Sequence, residues 1–153
     1  MEQNKNILII NDMCGYGKVA LAAMLPVLSS MGHSVYNLPT ALVSNTLDYG
    51  TFHILDTTDY MVHAIAAWKK LGFQFDCITT GFLASAAQVG IIRDFIASQK
   101  KEGLLVMTDP IMGDDGKLYY GVGAAAHRPF RARKFVADGN FSPLGKVSAH
   151  DTY

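Results

Sequence analysis

The clearest indication of the fold in this 153-residue chain is the segment Ile7-Leu-Ile-Ile-Asn-Asp-Met-Cys-Gly-Tyr-Gly-Lys18. Its four consecutive aliphatic residues predict a strand that is buried on both faces. The two glycines that follow predict a turn over residues 11–18. Apolar residues then recur with helical spacing from Val19 to Met31, and Gly32 is a suitable helix C-cap. A buried strand, a glycine turn and a helix, in this order, are typical of the start of a β-α-β unit.

The same alternation of strand and helix continues to about residue 108. Further strands are predicted at residues 34–38, 76–80 and 104–108, further helices at 58–71 and 85–101, and a loop at 40–52. This order predicts an α/β protein with three layers, α/β/α, and a mostly parallel sheet.

Polar or glycine-rich segments follow each predicted strand. In parallel sheets, ligands bind beyond the carboxyl ends of the strands, where such segments meet. The segments in question are residues 11–18, 39–45, 80–82 and 109–116. The sequence therefore predicts a ligand site at this edge of the sheet.

Composition narrows the class of protein. Half of the residues are apolar, and 13 basic residues balance 13 acidic ones. A chain of this kind folds around a core, and it lacks the basic surplus of a general nucleic-acid binder. No run of about 20 apolar residues predicts a membrane span. The two cysteines are too few for a disulfide framework, so we expect a reduced, cytoplasmic protein.

The pattern changes at residue 123. Residues 1–122 hold 8 basic and 11 acidic side chains, whereas residues 123–153 hold 5 basic and 2 acidic ones. The second segment also shows no sustained period of strand or helix. We therefore predict a folded unit over residues 1–122 and a divergent, poorly ordered tail over residues 123–153.

Two local motifs each have two interpretations. The stretch Gly15-Tyr-Gly-Lys-Val-Ala20 matches the dinucleotide fingerprint G-x-G-x-x-A. However, no acidic residue occurs from Val19 to Leu47 to bind a ribose, so a tight turn is the better interpretation.

Asp109, Asp114 and Asp115 provide the hard oxygen ligands that suit Mg²⁺, or they form a solvated acidic turn. Asp109 is the best placed of the three, because it follows a predicted buried strand.

Four blocks of sequence, taken together, resemble the pyridoxal kinases of the ribokinase-like superfamily. They are Asn11-Asp-Met-Cys-Gly-Tyr-Gly-Lys18, Leu38-Pro-Thr-Ala-Leu-Val-Ser-Asn45, Thr79-Thr-Gly-Phe82 and Asp109-Pro-Ile-Met-Gly-Asp114. The resemblance covers about residues 5–122 and the N-terminal half of the family. It implies transfer of the γ-phosphate of ATP, with Mg²⁺, to the 5′-hydroxymethyl group of pyridoxal, pyridoxamine or pyridoxine, a step of vitamin B6 salvage. Hydroxymethylpyrimidine kinases share the fold and are the alternative.

The resemblance also implies roles for particular residues. Asp12, Tyr16, Thr40, Ala41 and Phe82 fall at positions that line the substrate site of the family. An ionised Asp12 would only accept hydrogen bonds, which suits a protonated ring nitrogen or a ring hydroxyl.

A second set of positions matches the nucleotide side of the family. Asp109 and Asp114 resemble the acidic pair near the ATP phosphates and the metal, and Tyr119 resembles a tyrosine of the same region.

One departure from the family bears on activity. The family's catalytic base lies in a Gly-x-Gly-Asp turn of its C-terminal half, and this sequence contains no such turn. The resemblance therefore implies a truncated kinase that is inactive alone and holds no catalytic base; a frameshift would also produce the divergent tail. A non-catalytic small-molecule binder is the alternative. Family members are commonly dimers, and half of such a sheet leaves an apolar strand edge uncovered, so we expect self-association, a homodimer included.

Overall fold

A computed structural model describes residues 4–99, 101–109 and 111, together with three two-residue strands nearer the carboxyl terminus. The strands are β1 Asn6–Tyr16, β2 Ser34–Asn45, β3 Ile54–Asp56, β4 Cys77–Thr80, β5 Leu105–Thr108, β6 Gly113–Asp114, β7 Lys117–Leu118 and β8 Phe135–Val136. The helices are α1 Ala20–Ser30, α2 Thr58–Leu71 and α3 Ala86–Ser98, with a single 3₁₀ turn at Leu47–Tyr49. Of the predicted tail, the structure describes only β8.

The main sheet has the strand order β3-β2-β1-β4-β5-β8. β1 lies between β2 and β4 and is parallel to both, and β4 is parallel to β5. The two outermost strands, β3 and β8, are antiparallel to their neighbours. The predicted mostly parallel α/β sheet is therefore confirmed, with the stretch Ile7–Ile10 at its centre.

Two hydrophobic clusters cover the two faces of the sheet. Leu8 and Ile10 of β1 pack with side chains of α2 and α3, among them Phe95. Ile7 and Ile9 pack on the other side with Leu21 of α1. Because neighbouring residues of a strand point to opposite faces, four aliphatic residues in a row serve both clusters, and the protein has three layers. In the described part of the chain, no helix is long and apolar enough to cross a bilayer.

The predicted turn at residues 11–18 and the predicted loop at residues 40–52 were wrong over much of their length. β1 continues to Tyr16 and β2 to Asn45, and the two strands stay paired past an irregularity between Asn11 and Met13. β3 then adds to the far side of β2. The polar residues of this region obscured the strand pattern in the sequence. The extension of β2 lies beyond the core, and its side chains are exposed at alternate positions. The turn itself is shorter and uses Gly17, at φ 140°.

Candidate functional site

The parallel strands β4 and β5 end level with the middle of β1 and β2, which both continue past this point. Ile10 of β1 is opposite Leu38 of β2 and Thr80 of β4, and Thr80 is in turn opposite Thr108 of β5. The residues beyond this level lie in the extensions of β1 and β2 and in the loops after β4 and β5. They therefore leave the core at one edge of the sheet. This edge brings together Asp12, Thr40, Phe82 and Asp109, as the sequence predicts.

Asn11, in the middle of β1, joins this strand to the loop that follows β4. Its side-chain Oδ1 accepts hydrogen bonds from the backbone N–H of Phe82 at 2.8 Å and from that of Asp12 at 3.0 Å. Gly81 lies against the Asn11 side chain so closely that a Cβ atom would overlap it. Asn11 is buried, and its two bonds fix the backbone positions of the two residues that border the edge.

Thr40 holds the backbone carbonyl of Phe82. Its side chain is fully buried, and its Oγ1 donates a hydrogen bond to the backbone carbonyl of Phe82 at 2.7 Å. The next residue, Ala41, is also fully buried. Phe82 is therefore fixed at its N–H by Asn11 and at its carbonyl by Thr40, while its side chain stays partly exposed.

Asp12 is half-buried at the same edge. Burial raises the pKa of its carboxyl group, and a hydrogen bond from its own backbone amide opposes that rise in part. Burial also raises the pKa of the nearby Cys14 thiol, and the charge of Asp12 adds to the effect. Among the described residues, no cation contributes to the pKa of Asp12. A carboxylate that has lost water in this way is a strong acceptor of a hydrogen bond from a ligand.

Tyr16 lies further out than the other predicted substrate residues. It is four positions past Asp12 on β1, its side chain is 69% exposed, and its ring packs edge-on against Tyr49 at 5.8 Å between centroids. The structure therefore groups Asp12, Thr40 and Phe82 closely and places Tyr16 on the projecting extension of β1.

Gln88 is not among the residues predicted from the sequence, although its side chain makes four hydrogen bonds at this edge. Its Nε2 donates to the Thr40 carbonyl at 2.8 Å, to Thr58 Oγ1 at 3.0 Å and to Asp56 Oδ1 at 3.2 Å, and its Oε1 accepts from the Ala84 amide at 2.9 Å. The signal was present: a serine three residues before a glutamine, at a helix start, is a capping-box pattern. Here Gln88 accepts its bond from the N–H of Ala84, the residue before Ser85.

Asp56, the last residue of β3, lies beside this network, two residues before the start of α2. Its Oδ1 accepts hydrogen bonds from the hydroxyl and from the backbone N–H of Thr58. The hydroxyl bond is the largest of several that hold the pKa of Asp56 below its usual range, and Gln88 contributes another. An anion at a helix N-terminus is stabilised by the unpaired amides there.

The nucleotide side of the predicted site is described only at Asp109. Its backbone N–H donates to the Thr80 carbonyl at 2.9 Å, and its side chain is exposed. The side chain of Asp114 and all of Tyr119 lie outside the described residues. Among the residues that are described, no group of three or more His, Cys, Asp or Glu side chains is placed to hold a metal ion.

Comparisons with known proteins give a consistent result, although no protein-family model matches the chain. Pyridoxal kinase PdxY of Pseudomonas aeruginosa is 31% identical over 123 residues, which are 76% of this chain and 42% of that protein. A Bacteroides thetaiotaomicron protein assigned to the phosphomethylpyrimidine kinases, crystallised with pyridoxal, is 45% identical with a TM-score of 0.76 over 79% of this chain and 42% of its own. The pyridoxal kinase of Leishmania donovani, crystallised with ADP, is 26% identical with a TM-score of 0.60 over 74% of this chain and 42% of its own.

These relatives are longer than the chain. It spans between 35% and 42% of the length of the curated relatives that it matches. The matched portions cover between 74% and 79% of this chain. In sequence and in fold, the chain is thus similar to part of a pyridoxal kinase of the ribokinase-like superfamily.

Proposed function

We propose that this chain forms the acceptor side of a kinase site for a hydroxylated pyridine of the vitamin B6 group. The observation that carries the proposal is the fixed arrangement of Phe82 beside the half-buried Asp12. Asn11 accepts a hydrogen bond from the backbone N–H of Phe82 at 2.8 Å, and Thr40 donates one to its backbone carbonyl at 2.7 Å. With its backbone held in this way, Phe82 can pack its side chain against a flat ligand ring. The Asp12 carboxylate can then accept a hydrogen bond from the N–H or hydroxyl of that ligand ring.

The relatives support this choice of ligand. Pyridoxal is present in the Bacteroides crystal, and the Pseudomonas relative is named a pyridoxal kinase. The reaction we propose for the whole protein is phosphorylation of the hydroxymethyl group of pyridoxal by ATP. The part we propose for this chain is acceptor binding.

Calorimetry with pyridoxal tests acceptor binding. We expect the chain to bind pyridoxal, and we expect Asp12→Asn to weaken binding by about 10-fold or more, since a hydrogen bond to a charged group is worth roughly 1.5–3 kcal/mol. Asp48→Asn is the matched control, because Asp48 is an exposed carboxylate outside the site. Absence of pyridoxal binding in a folded chain would refute the proposal.

A pyrimidine is the second candidate acceptor. The Bacteroides relative, at 45% identity, is assigned to the phosphomethylpyrimidine kinases. A hydroxymethylpyrimidine also offers a flat ring and ring nitrogens to Phe82 and Asp12. A competition experiment, in which hydroxymethylpyrimidine displaces pyridoxal or fails to do so, ranks the two acceptors.

For the nucleotide side, we propose that Asp109 and Asp114 hold Mg²⁺ together with the phosphates of ATP, with Tyr119 beside them. Support comes from the position of Asp109 at the end of β5, from the exposure of its side chain and from the preference of Mg²⁺ for one or two carboxylates plus phosphate oxygens. The ADP in the Leishmania relative agrees with this. Bound Mg²⁺ would neutralise phosphate charge. We expect Asp109→Asn to weaken Mg²⁺-dependent ADP binding and to leave pyridoxal binding unchanged.

We also propose a cytoplasmic protein that self-associates, with a homodimer as the simplest assembly. Cys14 and Cys77 are free thiols, which suits a reducing compartment. On the α1 side of the sheet, Leu105 and Met107 of β5 are 39% and 55% exposed. Burial of such side chains against a second copy would be favourable. Light scattering tests this: a stable monomer at all concentrations would refute self-association.

A further inference from the structure

We infer that Gln88 is a positioning residue that holds the acceptor site in one arrangement; the inference rests on the function proposed above. Gln88 has no exposed surface. A buried amide is costly unless its polar atoms find partners. Both ends of this amide are bonded, and the partners come from β2, from the end of β3, from the start of α2 and from the loop after β4.

The chemistry of the partners requires an amide at this position. On one side the side chain meets three acceptors: a carbonyl, a hydroxyl and a carboxylate. On the other side it meets a donor, the N–H of Ala84. Glutamine supplies two donor hydrogens and an acceptor oxygen in one planar group. An ionised glutamate would place a second negative charge beside Asp56, and methionine would leave every partner without its bond.

Gln88 acts on the site through two of these bonds. The Thr40 carbonyl that it holds belongs to the residue whose hydroxyl fixes Phe82. The Ala84 amide that it holds lies two residues beyond Phe82. The loop after β4 is therefore fixed at three points, by Asn11, Thr40 and Gln88, and the last of these also ties it to the start of α2.

Gln88 is thus separated from the ligand by the residues that it orders. Loss of its bonds frees the loop, so that Phe82 no longer keeps one distance from Asp12. The effect expected is weaker pyridoxal binding in a chain that stays folded. Greater mobility of the loop should be measurable as faster hydrogen exchange at the amides of Phe82 and Ala84.

The first test compares the wild-type chain with Gln88→Met by calorimetry, thermal melting and hydrogen exchange. We expect pyridoxal to bind about 10-fold more weakly to the variant. We also expect faster exchange at Phe82 and Ala84, with unchanged exchange at Ile7–Ile10 of the central strand. Gln99→Met, the same substitution just past the end of the same helix, is the control variant. The Oε1 of Gln99 has no hydrogen-bond partner among the described residues, so this variant is expected to bind pyridoxal normally.

The second test uses Gln88→Glu over the range pH 5 to 8. Asp56 is the ionisable group among the contacts of residue 88; the others are the Thr40 carbonyl, the Thr58 hydroxyl and the Ala84 amide. Burial beside a carboxylate favours the neutral acid, which can donate one hydrogen bond. The ratio of variant to wild-type dissociation constants, taken at each pH, should therefore fall as the pH is lowered. A residue with a merely structural role would not give this profile.

The outcomes separate this inference from the proposed function. If the wild-type chain binds pyridoxal and folded Gln88→Met binds it equally well, with unchanged exchange at Phe82 and Ala84, the role of Gln88 is refuted and the proposed function stands. If the wild-type chain does not bind pyridoxal, the proposed function fails, and exchange at Phe82 and Ala84 still decides whether Gln88 orders the loop. If neither variant folds, Gln88 belongs to the core and the inference is overturned.

Discussion

The hydroxyl of Thr40 donates a hydrogen bond at 2.7 Å to the backbone carbonyl of Phe82, a residue 42 positions further along the chain. This bond connects the middle of β2 with the loop after β4, although β1 lies between the two strands in the sheet. The residue that the resemblance placed against the substrate therefore also fixes the wall of the site. A change at Thr40 should act on the stability of the chain and on ligand binding together.

Thr40→Val and Thr80→Val form a matched pair. Both hydroxyls are buried, but Thr80 Oγ1 has no hydrogen-bond partner among the described residues, whereas Thr40 Oγ1 has one. Removal of one member of a buried hydrogen bond costs about 1–3 kcal/mol. We expect Thr40→Val to lower the free energy of unfolding by that amount in urea titrations and to weaken pyridoxal binding. Thr80→Val should change both by little; equal losses in the two variants would contradict the assignment.

Gly81→Ala should be strongly destabilising. A Cβ at this position would overlap the side chain of Asn11, which cannot move away without losing its bonds to Phe82 and Asp12. We expect a loss of several kcal/mol, in the range of other overpacked sites. The control is Gly90→Ala in α3, where a Cβ meets nothing within 4 Å and alanine is favoured over glycine by about 1 kcal/mol. A melting temperature that falls for Gly81→Ala and rises for Gly90→Ala is the expected result.

Local sequence patterns predicted the central part of the fold. The aliphatic run of Ile7–Ile10 predicted the central strand, and the rule for parallel sheets placed Asp12, Thr40 and Phe82 at one edge. The extension of β1 and β2 was not predicted, because those strands are held by pairing with each other and with β3, which is a non-local interaction. The role of Gln88 was missed for the same reason: its capping pattern is local, but Thr40 and Asp56 are 48 and 32 positions away.

Asp76 should affect stability at acid pH without affecting the ligand site. The carboxylate lies at the opposite end of the sheet, 2.7 Å from the Lys101 ammonium and 2.7 Å from the backbone N of Asn6. The hydrogen bond from Lys101, followed by that from Asn6, lowers its pKa in the folded chain. A lowered folded pKa gives stability that is present above the unfolded pKa and lost as the pH falls through the folded one.

Urea titrations at pH 6 and at about pH 2.5 check this expectation for Asp76, since unperturbed carboxyls titrate near pH 4. Asp76→Asn should be less stable than the wild type at pH 6 and should differ less from it at the lower pH. Asp94→Asn is the control, because Asp94 pairs with Arg93 on the exposed surface, where ion pairs contribute little. An unchanged dissociation constant for pyridoxal in Asp76→Asn would show that Asp76, at the far end of the sheet, contributes to stability but not to ligand binding.

Asp12 should show a conflict between stability and binding. Burial raises the pKa of its carboxyl group, so the folded chain binds this proton more tightly than the unfolded chain does. Above the folded pKa the ionised group therefore costs stability, and that cost disappears as the pH falls below it. Asp12→Asn removes the charge and should raise the melting temperature at pH 7, with a smaller difference from the wild type near pH 4. The same substitution should weaken pyridoxal binding by about 10-fold or more, because the ring then loses a charged acceptor.

A residue kept only for packing would not combine a gain in stability with a loss of binding, and this combination is typical of side chains retained for a ligand. If Asp12→Asn instead lowers the melting temperature at pH 7, the carboxylate is already engaged by groups within the chain. It would then not be free to accept a hydrogen from a pyridine ring. The melting temperature of this one variant, measured without any ligand, thus bears directly on whether the edge formed by Asp12 and Phe82 is a binding site.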